Sequence, residues 1–263
     1  MINWHIGTMG FSYKDWTGGF YPAEMSARNY LAYYSRIFNA VEIDSTFYGI
    51  PKEETVRRWG SISPTSFQFC LKTPNAITHD LKLVGASGLM SQFVETVRLL
   101  DEKLGVILIQ FPPSFSADQM GVLEEFLSSL PADIRFAVEI RDRSWYTAST
   151  QMISMLSGYG VCWAATQYPG LPREINLTTD FLYIRWIGQH GSYKRHDHER
   201  VDRTSELQDW YRLILEVQDE LESVYGFTNN DYAGFAPATA NRFKEIANLE
   251  TQEHQPPQQG KLF

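Results

Sequence analysis

Along this chain, short apolar runs alternate with turn residues and amphipathic stretches. Eight runs stand out, at residues 5–8, 41–46, 67–72, 105–110, 136–141, 161–166, 181–186 and 223–229. Their starts lie 20 to 42 residues apart, which leaves room for a crossover after each one. Short, nearly continuous apolar strands separated by helices predict a parallel sheet covered by helices. Ser26 is placed to cap a helix whose apolar face holds Leu31, Tyr34 and Phe38. Pro51 opens a short helix to Trp59, and residues 88–103 carry Leu89, Phe93, Val97 and Leu100 at helical spacing. Further helices are predicted over 117–130, 149–159 and 205–220, the last with Thr204 as its cap. A final helix runs to Ala247 with Pro237 in its first turn. Between residues 166 and 181 the run Tyr168-Pro169-Gly170-Leu171-Pro172 predicts a loop. The fold class expected is therefore α/β, a TIM-like (β/α)8 barrel with an irregular crossover between strands 6 and 7.

Composition agrees with that expectation. The chain has 263 residues, 43% hydrophobic and 14% aromatic, enough to build a large core. A barrel of this kind takes about 250 residues, so one eight-strand circuit uses residues 1–249 as a single domain. Residues 250–263 are rich in Gln and Pro without periodicity and read as a flexible tail. The net charge of −8 argues against direct, charge-driven coating of nucleic acid. Cys70 and Cys162 both sit in apolar runs and read as buried free thiols, with no disulfide framework. No signal peptide is visible and no stretch approaches the ~20 apolar residues of a membrane span. A cytoplasmic protein without a membrane partner is expected.

Barrel enzymes work at the C-terminal ends of their strands. Period-two alternation puts Glu42 and Asp44 on one face of the second strand, and Glu139 and Arg141 on one face of the fifth. Lys72 and Thr73 end the third strand, Gln110 ends the fourth, Arg185 lies on the seventh, and Asn229-Asn230-Asp231 close the eighth. Buried charges must pair or face a wet pocket. An internal ion-pair network that fixes the barrel is one reading of this set; a substrate site is the other. On the second reading, Glu42, Glu139, Lys72 and His79 are the catalytic candidates. Ser12, Tyr13, Trp16, Gln110, Arg141, Arg185, Asn229 and Asn230 are then the substrate-binding ones. Two carboxylates beside three cations suit acid–base chemistry, of a hydrolase or lyase type, on a small phosphate- or carboxylate-bearing substrate. A third possibility is a ligand-binding barrel without chemistry, which predicts rim charges fully paired internally.

The first βα loop, residues 7–16, combines Gly7 and Gly10 with Phe11, Ser12, Tyr13 and Trp16. Glycines admit close backbone approach. The aromatics and hydroxyls suit a ring-bearing or sugar-like ligand, or they pack over the barrel mouth. Neither a GxGxxG fingerprint nor a Walker loop occurs, so no nucleotide cofactor is expected. His196-Asp197-His198 reads as a solvated pair in a polar loop. A metal is possible through Glu42, Glu139 and His79 but is not demanded.

Several of these segments together carry a resemblance. They are Ile6 through Trp16, Phe20-Tyr21-Pro22, Val41 through Tyr48, Lys72-Thr73-Pro74 and Ile77-Thr78-His79. Gln110 through Phe115, Ala137 through Arg141 with Ser144-Trp145, and Asn229-Asn230 with Ala236-Pro237 and Ala240 complete the set. The chain resembles the YecE-like family, also called the domain of unknown function 72 family. The resemblance covers nearly the whole chain; it implies a TIM-like barrel and no particular reaction. One position departs from the pattern. The family usually shows Arg-aliphatic-His-Gly on strand seven, where this chain has Arg185-Trp186-Ile187-Gly188, with His190 close by as a substitute.

The last five residues, Gln259-Gly260-Lys261-Leu262-Phe263, resemble the Gln-x-x-Leu-Phe peptide with which bacterial proteins dock on the DNA sliding clamp. Leu262 and Phe263 would enter an apolar groove while Gln259 fixes the register. The alternative is that the two apolar residues fold back on the barrel. Clamp docking would recruit an acidic protein to DNA through a partner instead of through phosphates.

Overall fold

Among the described residues, 2–250, the computed structural model of the chain forms nine strands. They are β1 (Asn3–Thr8), β2 (Ala40–Ile43), β3 (Gln68–Lys72), β4 (Leu104–Gln110), β5 (Arg135–Glu139), β6 (Val161–Trp163), β7 (Ala165–Gln167), β8 (Phe181–Trp186) and β9 (Ser223–Thr228). Every strand pairing is parallel. The ladders make two sheets, one of order β1-β9-β8-β7 and one of order β2-β3-β4-β5-β6. The fold is thus α/β with parallel sheets, as the run spacing predicts, but the expected single eight-strand circuit is divided.

The division has a physical cause at each place where the two sheets meet. The sixth predicted strand breaks at Ala164: β6 pairs with β5, and β7 pairs with β8. Here the side chain of Thr178 takes over from a neighbouring backbone. Trp163 N donates to Thr178 Oγ1 at 2.9 Å, and that hydroxyl donates to Val161 O at 2.8 Å. Between β1 and β2 the substitutes are Asn39 and Tyr34. Ile6 N donates to Asn39 Oδ1 at 3.0 Å, Asn39 Nδ2 donates to Trp4 O at 2.7 Å, and Thr8 N donates to Tyr34 OH at 2.8 Å. A single bridge, Met9 with Glu42, follows, with Gly10 N donating to Glu42 O at 2.7 Å. Side chains therefore satisfy backbone groups that a regular ladder would have paired.

Alternation along the strands builds two apolar layers. One face carries Ala40, Cys70, Leu108, Ala137, Tyr183 and Phe227, packed on one another. The other carries Val41, Phe69, Ile107, Val138, Ile184 and Val224, which meet the helices. Those helices are α1 (Tyr30–Tyr34), α2 (Glu53–Ile62), α3 (Ser87–Val97), α4 (Met120–Ser128), α5 (Ser144–Thr147), α6 (Ser149–Gly158), α7 (Thr204–Glu216), α8 (Asn230–Ala233) and α9 (Ala236–Ile246). The stretch between β7 and β8 holds no helix, as its Pro and Gly predict.

Helix ends depart from expectation in three places. Ser26 makes no capping bond. Thr204 does not cap α7 but opens it, and both its N–H and its hydroxyl turn to Asp202, whose carboxylate is the stronger acceptor. The helix predicted to Lys103 stops at Val97, and Asp101 beyond it adopts φ 54°, which no right-handed helix accommodates. No helix among the described residues is long and apolar enough to cross a membrane. The predicted terminal peptide, with Gln259, Leu262 and Phe263, lies outside the described residues.

The β1–β2 junction makes one position exacting. A Cβ on Gly7 would lie 2.0 Å from Ala40 O and 2.8 Å from Tyr34 OH, whereas one on Gly121 in α4 would meet nothing within 4 Å. Gly7→Ala is expected to lower unfolding free energy by about 3 kcal/mol. Gly121→Ala should raise it by up to about 1 kcal/mol. Urea unfolding of the two variants beside wild type checks both signs.

Candidate functional site

The site grows from a buried arginine. Arg185, on β8, is 3% exposed, and Glu42 on β2 and Glu139 on β5 are fully buried. All three stand in the C-terminal halves of their strands, where side-chain hydrogen bonds join them across the two sheets. Arg185 Nε donates to Glu42 Oε2 at 2.9 Å and Nη2 donates to Glu42 Oε1 at 2.6 Å. Its Nη1 donates to Glu139 Oε2. Tyr183, two residues earlier on the same face, donates its hydroxyl to Glu42 Oε2 at 2.6 Å. Arg141, just past β5, donates Nε to the other oxygen of Glu139. Asp44 Oδ1 stands 3.6 Å from Arg185 Nη2.

The two glutamates experience opposite fields. Burial lifts the Glu42 carboxyl from 4.5 to about 7, Arg185 opposing and the charge of Asp44 assisting. Burial also pushes on Glu139, but Arg141, Arg185 and Lys72 outweigh it and hold that carboxyl at about 2. Glu139 is therefore a fixed anion, and Glu42 is a group that can exchange a proton near neutrality.

Above this network opens a cavity of about 600 Å³. Ser12, Tyr13, Lys72, Arg141, Arg185 and Asn229 line it, six of the twelve residues picked from the sequence for catalysis or substrate binding. Aromatic rings make much of its wall: Phe11, Phe47, Tyr48, Trp59 and Tyr168. Arg141 lays its guanidinium carbon 4.1 Å above the Tyr168 ring centre, and its two terminal nitrogens have no hydrogen-bond acceptor among the described residues. Lys72 Nζ lies 4.1 Å from the Phe47 ring centre, with no hydrogen bond or ion pair among the described residues. Burial and then the Arg185 charge lower its basicity, against the pull of Asp44, Glu139 and Glu42.

The other picked residues stand behind the wall. Glu42 and Glu139 reach the cavity only through the arginines. Gln110 is buried and donates Nε2 to Phe111 O. Trp16 is buried and donates Nε1 to Asn230 Oδ1 at 3.0 Å, which also accepts from Ala236 N. The first loop thus divides: Trp16 packs, while Phe11, Ser12 and Tyr13 face the cavity. His79 meets the Phe47 ring edge-on at 4.9 Å and shares a 2.8 Å hydrogen bond with Thr78. No cluster of three or more His, Cys, Asp or Glu among the described residues is arranged to hold a metal. His196 instead stands 3.4 Å from Asp231, and His198 lies 2.8 Å from Asp197.

Residues 5–261 match a family model described as "Protein of unknown function DUF72". The chain belongs to the DUF72 family. UPF0759 protein YecE of Escherichia coli K12 is 34% identical over 113 residues, 43% of this chain. That alignment spans only 42% of the length of YecE. UPF0759 protein YunF of Bacillus subtilis strain 168 is 24% identical over 271 residues, 94% of this chain and 95% of YunF. Among solved structures, a DUF72 family protein from Thermotoga maritima MSB8 matches with TM-score 0.79 and 29% identity, covering 93% of this chain and 99% of its own. A DUF72 family protein from Enterococcus faecalis V583 matches with TM-score 0.77 at 22% identity, covering 95% of this chain and 99% of its own, and shows the shared fold.

In this DUF72 chain, Ile187 takes the place where the resemblance implies a histidine, and it lines the cavity. His190 also lines it, with Nδ1 3.4 Å from Asp231 Oδ2. Sequence reasoning passed over Asp44, Phe47 and Tyr168 as site residues. For Asp44 the signal was present, since alternation puts it beside Glu42. Tyr168 sits in a loop whose position no periodicity encodes.

Removing Arg185 leaves buried Glu42 without its cation and buried Glu139 with Arg141 alone. Arg185→Leu is expected to cost about 3–5 kcal/mol of stability in urea unfolding. Glu42→Gln tests its own field. The native state keeps the Glu42 proton up to about pH 7, while the unfolded chain loses it near 4.5. Stability of wild type relative to Glu42→Gln should therefore fall as pH rises from 4.5 to 7. A flat difference across that window would contradict the assignment.

Proposed function

We propose that this DUF72 chain is an enzyme that binds a small compound with a terminal phosphate or carboxylate in the cavity at the strands' C-terminal ends. One observation carries the reading: Arg141 and Lys72 bring donor groups without acceptors to a cavity with several aromatic rings in its wall. Arg141 is the anion anchor, because Glu139 fixes Nε and leaves its terminal nitrogens for a bidentate contact. Arg185 is spent on Glu42 and Glu139, so it positions the site and sets its field. Glu42 and Glu139 act through the arginines as positioning residues. Ser12, Tyr13 and Asn229 border the ligand, and the aromatic part of the wall meets its apolar part. A purely internal charge network fits Arg185 and leaves Arg141 and Lys72 unexplained.

Two broader elements belong to the same proposal. The sheets act as one (β/α)8 barrel, supported by the side-chain bridges of Asn39, Tyr34 and Thr178 at their junctions. The setting is a reducing cytoplasm, supported by the free, buried thiols of Cys70 and Cys162. A separate proposal concerns partners: the terminal Gln259, Leu262 and Phe263 would dock on a DNA sliding clamp. Pull-down with the clamp should succeed with the full chain and fail without Leu262 and Phe263; equal capture would overturn it.

Calorimetry tests the ligand reading. Inorganic phosphate or a small carboxylate should bind wild type, and Arg141→Ala should weaken that binding tenfold or more, about 1.4 kcal/mol. Equal affinity in the two proteins would overturn the assignment of Arg141 as anchor.

A further inference from the structure

An ammonium group at the end of a strand beside three carboxylates would ordinarily seek one of them. Lys72 Nζ does not. Asp44, which lines the same cavity, leaves Oδ1 without a hydrogen bond, and Lys72 lies over the Phe47 ring instead. The neighbouring carboxylates are taken up by arginines: Glu42 by Arg185, and Glu139 by Arg185 and Arg141. Arg185 is the cation that acts on this amine, set against Asp44, Glu139 and Glu42, and the partly buried amine meets an aromatic face and open cavity. Desolvation and a neighbouring cation are the two means by which a lysine becomes a nucleophile at neutral pH.

Resting on the anion-site reading above, we propose that Lys72 forms an imine with an aldehyde or ketone whose anionic group is held by Arg141. The Nζ lone pair attacks the carbonyl carbon, and the carbonyl π electrons move to oxygen, which takes a proton. The nitrogen loses a proton, giving a neutral carbinolamine. Protonation of the hydroxyl lets it leave as water while the nitrogen lone pair forms the C=N bond. No oxidant or reductant takes part. Asp44 lines the cavity, its Oδ1 3.6 Å from Arg185 Nη2 and without a hydrogen bond, and relays the proton from nitrogen to oxygen. Arg185, pinned by Glu42 and Glu139, supplies the fixed positive field that favours the neutral amine. Burial and that field together hold the Lys72 amine below its ordinary basicity, against Asp44, Glu139 and Glu42. His79, edge-on to the same Phe47 ring, is itself made less basic by burial and the Lys72 charge.

The test uses the full chain and pyridoxal 5′-phosphate, an aldehyde bearing a phosphate, as a probe. After sodium borohydride reduction, peptide mapping should find the adduct on Lys72 ahead of every other lysine. Inorganic phosphate should suppress it, Lys72→Arg should abolish it at that position, and pyridoxal without the phosphate should label at least tenfold less efficiently. Arg141→Ala should erase the difference between the two aldehydes while leaving Lys72 reactive. If phosphate binds as expected but the adduct is spread over surface lysines, the imine is overturned and the anion site stands. If neither phosphate binding nor Lys72 labelling occurs, the anion-site reading fails and the imine with it.

Discussion

Arg185 is the constraint around which this molecule is organised. A guanidinium at 3% exposure must have its donors met by fixed acceptors. Those acceptors come from strands far away in sequence, Glu42 on β2 and Glu139 on β5. A single side chain thereby ties a strand of the four-stranded sheet to two strands of the five-stranded one. The bridge between Met9 and Glu42 and the hydrogen bonds of Asn39, Tyr34 and Thr178 tie the sheets at their junctions. The ion network ties them across the interior, and a shift of one residue would turn every one of these side chains to the other face.

The same network decides what is left over for chemistry. Glu139 anchors Arg141 by one nitrogen and leaves the other two facing the cavity. Arg185 absorbs Glu42 and the other oxygen of Glu139, so that Lys72 stands over an aromatic ring beside a fixed positive charge. The carboxylates matter by removing alternatives. They keep the guanidinium groups still, and stillness is what gives a hydrogen-bonding site its selectivity.

Much of this was readable from the sequence, for identifiable reasons. Strand positions followed from apolar runs, and Glu42, Lys72, Glu139, Arg141 and Arg185 followed from asking which polar residues stand at strand ends. What escaped was set by contacts distant in sequence. The break at Ala164 depends on a hydroxyl from Thr178, in a loop that no pattern locates. The burial of Trp16 depends on Asn230, 214 residues away. The division of labour among cations was also hidden. Sequence reasoning set Lys72 among the catalytic candidates and Arg141 beside Arg185 among the substrate-binding ones, and only geometry distinguishes the cation that is fully engaged from the two that are not. Helix caps failed where a carboxylate outcompeted a hydroxyl, as Asp202 does at Thr204.

The most direct measurement is a crystal structure of the chain soaked in inorganic phosphate. The account predicts density for the anion on the terminal nitrogens of Arg141, with Lys72 Nζ still free of Asp44 and Glu139 and Arg185 unmoved between its two glutamates. Phosphate bound elsewhere, together with Lys72 closed into an ion pair with Asp44 or Glu139, would contradict it.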